Sequence, residues 1–233
     1  MRHIIYIETR IFRKLDLCES MKMKLKQLKS MLDNVETFDK PNIHLEQYPT
    51  PPDIAAEMLY HIWSAGEIEN RVVADLGCGG GILSVAAGLL GADYVVAVDI
   101  DESSLEICKN NIQEFELTKS VALLQTDVSS LSQILRNPVD TVIMNPPFGT
   151  RNKGADLMFV DIASSLCHGS VYSLHKSSTR QHLVRKSEQR GLKCEIIAQL
   201  RYNIDRMYKF HRDDTRDVEV DFVRFIKLPQ ECN

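Results

Sequence analysis

The run Asn145-Pro146-Pro147-Phe148 places carbonyl acceptors, two rigid rings and an aromatic face within four residues. Its chemistry is that of a planar amino nitrogen. Such an NH2 is a poor nucleophile because its lone pair is delocalised into a ring or a carbonyl, and what it needs is a pair of hydrogen-bond acceptors rather than a strong base. The side-chain carbonyl of Asn145 and the backbone carbonyl of Pro146 offer them, favouring a pyramidal nitrogen with its lone pair aimed outward. Pro146 and Pro147 stiffen that geometry. Phe148 gives an extruded base a face to stack on, worth ~1–3 kcal/mol per base in nucleic-acid contexts. The plain alternative is a proline-rich turn that closes a strand.

A second constellation describes what would supply the transferred group. Asp75-Leu76-Gly77-Cys78-Gly79-Gly80-Gly81 falls between an expected strand and an expected helix, where glycines let a ligand press on the backbone and permit positive φ. Asp99 follows 22 residues after Gly77, the separation at which a carboxylate accepts hydrogen bonds from ribose hydroxyls. The spacing is G-x-G-x-G rather than G-x-G-x-x-G, with no nearby Arg or Lys for a pyrophosphate, so a dinucleotide is disfavoured. S-adenosylmethionine has the ribose and the adenine, lacks phosphate, and carries a sulfonium cation that acidic surroundings tolerate. Asp127 is then expected to accept from the adenine amino group. Cys78 has no partner base to make it a nucleophile, and the seven histidines lack ligand spacing.

These residues need a scaffold, and the periodicity supplies one. Apolar strands are expected at Val72 to Ala74, Tyr94 to Val98, Val121 to Leu124, Thr141 to Met144 and Ser170 to Leu174. They alternate with helices at Ile82 to Leu90, Glu102 to Phe115, Ala155 to Cys167 and Ser178 to Arg190, the last stopped by Gly191. Two longer strands, Cys194 to Tyr202 and Val218 to Ile226, close the chain without a helix between them. The fold class is α/β, a doubly wound, seven-stranded, mostly parallel sheet with an antiparallel terminal strand. Ahead of it, Met21, Leu25, Leu28, Leu32 and Val35 form the apolar side of an amphipathic helix whose lysines could meet phosphate. Residues 45–52 are extended before Pro49, Pro51 and Pro52, after which Thr50 and Asp53 read as a capping signal for a helix through Ile62. Ser178 with Gln181 reads as another.

At 233 residues, with 44% hydrophobic and 26% charged, the chain can bury a full core as one domain. Residues 1–20 are expected to be a flexible extension, 21–228 the domain, and 229–233 a tail. The formal charge of -4 excludes a histone-like cation, and no apolar stretch approaches the ~20 residues that span a bilayer. Six scattered cysteines, without a CxxC pair, indicate neither a disulfide framework nor a zinc knuckle. Charge is segregated. Residues 46–145 carry 4 basic and 15 acidic side chains, whereas residues 171–217 carry 11 basic and 6 acidic. An acidic middle suits a small cationic ligand, and a basic C-terminal third suits a polyanion that must approach it. Lys176, Arg180, Arg201, Lys209 and Arg212, interleaved with Tyr202, Tyr208 and Phe210, are the candidate contacts, with Arg151 and Lys153 on a basic lip at Gly149 to Gly154.

Asp75 to Gly81 and Asn145 to Phe148 together resemble the cofactor and NPPF motifs of class I methyltransferases that act on planar nitrogens. More narrowly, Glu46-Gln47-Tyr48-Pro49-Thr50, Asn145 to Thr150 and His175-Lys176-Ser177-Ser178-Thr179-Arg180 resemble the methyltransferase-like protein five family, adenine-N6 methyltransferases of small-subunit ribosomal RNA. The resemblance implies that the Gln-Tyr-Pro-Thr segment folds over the cofactor, with contacts from Gln47, Thr50, Gly77, Gly80, Ile82, Asp99 and Asp127. Gly80 stands where some relatives carry cysteine. It also implies a small zinc-binding activator subunit docked edge to edge on the outermost strand, Val121-Ala122-Leu123-Leu124, and a nuclear, nucleolar and cytoplasmic location. A protein glutamine N-methyltransferase is the competing activity, because a side-chain amide is also planar. A non-catalytic scaffold that only binds is compatible with the same motifs, and so is a DNA substrate.

Overall fold

In a computed structural model, residues 23–38, 41–149, 152–204 and 216–229 are described. Met21, Lys22, Thr150, Arg151, Tyr208, Lys209, Phe210 and Arg212 lie outside them, as do the expected extension and most of the tail. The elements in chain order are α1 (Leu25–Leu32), α2 (Pro52–Ser64), β1 (Val72–Leu76), α3 (Ile82–Leu89), β2 (Tyr94–Asp99), α4 (Glu102–Glu114), β3 (Val121–Gln125) and α5 (Leu131–Ile134). They continue with β4 (Val139–Met144), α6 (Ala155–Leu166), β5 (Cys167–Lys176), α7 (Arg180–Glu188), β6 (Leu192–Ile204) and β7 (Arg216–Lys227).

The seven strands form one sheet in the order β3-β2-β1-β4-β5-β7-β6. The first five are parallel, and β7 runs antiparallel to both β5 and β6. Alternation along β2 shows why helices cover both faces: Val95 and Ala97 belong to one apolar layer, Val96 and Val98 to the other. The first layer takes in α1, α2, α3 and α4, and the second takes in α5, α6 and α7. Strand residues with no solvent on either side, such as Val142, Ile143 and Met144, read as continuous apolar runs for that reason. No helix among the described residues is long and apolar enough to cross a membrane.

Three local expectations are corrected by tertiary partners. Thr50 and Asp53 do not cap α2: Pro51 occupies the cap position without a side-chain bond, Asp53 instead pairs with Lys29 of α1 at 3.3 Å, and the Thr50 hydroxyl is taken by Asn145. Lys29 also reaches Glu57 at 2.7 Å, so this lysine clamps α1 to α2 rather than facing phosphate. Ser178 does not cap α7 either. A short 3-10 turn at Ser177–Thr179 precedes that helix, and it is Ser177 that donates, to the buried Asp221 of β7 at 2.6 Å.

Two features shape the end of the sheet where β1 and β4 stop. The backbone N–H groups of Gly77 and Cys78 both donate to the carbonyl of Val98, which ties the glycine loop onto β2. Gly81 then opens α3 with φ +86, and a Cβ there would lie 2.3 Å from the Cys108 Sγ. Only glycine satisfies both the backbone and the space. Gly81→Ala is therefore expected to destabilise the fold by about 1–3 kcal/mol in urea unfolding. Adding Cys108→Ala should return the steric share, leaving the left-handed backbone cost of about 1–2 kcal/mol; full recovery would show that φ is not constrained.

Candidate functional site

The chain reverses its direction of winding at β1, and a cleft of about 280 Å³ opens at the carboxyl ends of the strands there. Gly77 and Gly79 form its floor, Asp99 with Ile100 one wall, Asp127 with Val128 the next, and Asn145 with Pro147 the end nearest β4. Segment 45–48 and Phe38 roof it. Ile100 is 50% exposed and Met158 36%, and both line the cleft, leaving apolar walls for a flat ring. Glu46, Asp99 and Asp127 are acidic, and among the described residues no lining side chain is basic. That composition suits a ligand bearing positive charge and rejects phosphate.

Asp99 is the hinge of the cofactor end. Its Oδ2 accepts from the Gly79 N–H at 2.8 Å and its Oδ1 from the Asp101 N–H at 2.9 Å. Burial raises its carboxyl above the usual range, partly offset by these backbone bonds. Each oxygen retains a second lone pair, so the carboxylate can also accept from ribose hydroxyls. Asp127 accepts from Ser129 N–H at 2.8 Å, which aims it along the cleft wall. S-adenosylmethionine therefore fits this site by its chemistry: glycines where the ligand must press close, a carboxylate for the ribose, a second acceptor for the adenine, and acidic surroundings for the cation.

Other expected cofactor residues occupy supporting places. Asp75 is fully buried beneath the loop, accepts from Ser84 Oγ at 2.6 Å, and has its carboxyl pushed up to about 7 by burial. Gln47 reaches the cleft, but its amide is engaged: Nε2 donates to Asp101 at 2.9 Å and Ser104 at 3.0 Å, and Oε1 accepts from Asn42 N–H. Against the push of burial, hydrogen bonds donated by Gln47, Ser104 and Ser103 hold the Asp101 carboxyl below its ordinary range. Gly80 and Ile82 do not line the cleft; Ile82 packs partly on the core.

Thr50 belongs to the other end. The Asn145 Nδ2 donates to Thr50 Oγ1 at 3.0 Å and to the Tyr48 carbonyl at 3.4 Å, which settles which end of the Asn145 amide is donor and which is acceptor. Pro146 is buried, and neither it nor Phe148 lines the cleft. Phe148 lies nearly parallel to the Tyr48 ring, 16° between planes with centroids 6.4 Å apart, and Lys176 Nζ sits 5.6 Å from the Phe148 centroid. Arg180 is bound through its fork to Asp221 and also to Gln199, a structural tie rather than the phosphate contact expected. Arg201 is exposed on β6 and Lys153 on the lip. Cys78 is buried and its thiol is pushed well up by hydrogen bonding to Cys108 and by burial, so it is no nucleophile.

Sequence reasoning missed Phe38, Ile100 and Asn111. Phe38 lies against Gly79, and Ile100 simply follows Asp99, a signal that was available. Asn111 gave none. Fully buried on α4, it accepts from Glu36 N–H at 2.9 Å and donates to the Glu36 carbonyl at 2.9 Å and the Gly80 carbonyl at 2.8 Å. One side chain thus couples the roof segment to the glycine loop.

A family model described as ribosomal protein L11 methyltransferase (PrmA) matches residues 57–146. The chain is 49% identical over 205 residues to the rRNA N(6)-adenosine-methyltransferase METTL5 of Danio rerio, covering 87% of this chain and 99% of that one. It is 45% identical over 207 residues to Mettl5 of Drosophila melanogaster, named for the same activity, covering 88% and 97%. A crystal structure of a Pyrococcus horikoshii protein superposes with a TM-score of 0.76 at 34% identity, covering 91% of this chain and 100% of that one.

Because Asn111 touches the roof and the loop but not the cleft, its loss should act through them. Asn111→Ala is expected to weaken cofactor binding about tenfold in calorimetric titration, ~1.4 kcal/mol and within the ~1–3 kcal/mol expected when buried hydrogen-bonding groups lose their partner. An unchanged affinity would show that the roof holds without it.

Proposed function

Because the chain belongs to the METTL5 family of rRNA N6-adenosine methyltransferases, we propose that it methylates N6 of one adenosine in small-subunit ribosomal RNA. The chain is an S-adenosylmethionine-dependent N6-adenine RNA methyltransferase. The observation that carries the acceptor chemistry, a planar amino nitrogen, is the amide of Asn145, oriented by Thr50 and Tyr48 in the cleft; the RNA target is supported by the relatives' printed activity and by the basic C-terminal third.

The cofactor supplies an electrophilic methyl on a sulfonium. Everything else falls to the chain. Asp99 and Asp127 hold ribose and adenine, and Gly77 and Gly79 leave room for the backbone approach. Asn145, through its side-chain carbonyl, and Pro146, through its backbone carbonyl, accept the two N–H bonds of the target amine. Pro147 keeps that turn rigid and narrows the cleft beside Asn145, while Phe148 stacks the extruded base. Neither oxygen has to act as a strong base, since the nitrogen becomes cationic and strongly acidic on gaining the methyl and then gives its proton to water.

The same reading includes a small zinc-binding activator subunit on β3. The support is the position of Val121–Gln125 at one edge of the sheet and the uncharged sequence along it. The zinc is the activator's own in this reading; among the described residues of the chain, no group of His, Cys, Asp and Glu is disposed to hold a metal. Nuclear, nucleolar and cytoplasmic residence follows from a substrate matured and used in those places.

Total RNA, DNA and protein incubated with the chain, with and without the activator, and a labelled methyl donor should yield label in small-subunit ribosomal RNA. Label confined to protein would replace this reading with glutamine methylation. Asn145→Ala should lower kcat by ~10²-fold or more, by analogy with other preorganised polar sites, and weaken cofactor binding by a smaller factor of about tenfold, because the tie from Thr50 and Tyr48 to the roof goes with it. Leu123 packs partly on the core, so the edge is better tested at Ala122, which joins neither core layer. Ala122→Lys is expected to abolish co-purification of the activator while the melting temperature of the isolated chain is unchanged; retained association would remove β3 as the docking edge.

A further inference from the structure

The cleft interior is acidic, so an RNA strand cannot follow its target base inward: the base enters and the phosphates stay at the rim. Of the two cations in the turn after β5, the one able to meet them is decided by what each already holds. β4 and β5 pair in parallel with Met144 opposite Ser173, which carries Lys176 to the level of Phe148. There its ammonium lies 5.6 Å from the Phe148 centroid. Arg180, the second cation of the same turn, is committed to Asp221 by two bonds of 2.6 Å and to Gln199 by one of 2.9 Å. Asp221 is fully buried and cannot release that partner without leaving a buried charge. Lys176, in contrast, has no carboxylate within ion-pair distance among the described residues. An ammonium held only over an aromatic ring, with no carboxylate to neutralise it, keeps donors that a phosphate can take.

We propose that Lys176 is a substrate-binding residue that grips a backbone phosphate of the target nucleotide beside the Phe148 platform. The proposal rests on the RNA reading above and deepens it, because a glutamine side chain presents no phosphate to this lysine. Arg180 then serves to hold the turn that presents Lys176, through Asp221, rather than to touch RNA itself.

The full chain, with the labelled methyl donor and ribosomal RNA, tests this at several salt concentrations. Lys176→Met retains the apolar stem over Phe148 and removes the charge. It should raise KM for RNA about tenfold, leave kcat and cofactor affinity within about twofold, and reduce the slope of log KM against log salt by about one. Lys176→Arg should restore most of the affinity and the slope. Unchanged KM and slope in Lys176→Met, with wild-type label entering RNA, would overturn the proposal. So would a fall in kcat with KM unmoved, which would make Lys176 a prop for Phe148. If wild-type label enters protein alone, the RNA reading falls first and this inference with it.

Discussion

The bond between the Asn145 amide and the Thr50 hydroxyl joins groups 95 residues apart in the chain, and the cleft depends on it. An asparagine at a strand end can rotate its amide end for end at little cost in open solvent. With Nδ2 directed to Thr50 and the Tyr48 carbonyl, it has one orientation, and the acceptor end is defined before substrate arrives. The same bond fastens the extended segment that roofs the cofactor. Reaction geometry and cofactor enclosure are therefore one structural fact rather than two.

Hydrogen bonds alone do not hold that roof. Each contributes about 1 kcal/mol net, while ordering a residue's backbone costs about 1–2 kcal/mol. The ties at Glu36, Gln47 and Thr50 are spaced along a segment whose other residues must be ordered by different means. Pro49, Pro51 and Pro52 reduce the freedom lost on folding, Phe38 packs on Gly79, and Leu28 and Leu32 of α1 anchor the segment's start in the core. A bound cofactor completes the enclosure, so the roof and the ligand stabilise each other by mutual linkage.

The cofactor end was legible because its information is local. Glycine spacing, the strand before it, the helix after it and Asp99 at the next strand end all lie within a short span, and each has a distinct backbone reason. The class of the sheet followed from the same alternation of strands and helices. The long-range partners were not legible. Thr50 and Asp53 carry a helix-capping signature, yet Asn145 and Lys29 outcompete the backbone for their side chains. Ser178 misled in the same way, since Asp221 draws Ser177 and Arg180 and leaves Thr179 at the cap position. Asn111 has no sequence signature at all: a buried asparagine on an amphipathic helix reads as an ordinary polar position until the chain 75 residues earlier is laid against it.

Charge separation completes the logic of the site. A sulfonium ligand needs acidic walls, and acidic walls repel the nucleic-acid backbone, so a single cleft could not serve both without dividing the labour in space. The division follows the sheet: the carboxylates that line the cleft, Asp99 and Asp127, sit at or just past the ends of β2 and β3, while Lys176 and Arg201 stand toward the ends of β5 and β6. Asn145 lies at the boundary just past β4, a neutral side chain between the two regimes. A charged residue at that position would favour one ligand at the expense of the other, and an amide is the group that can accept from an amine without adding a charge to either side.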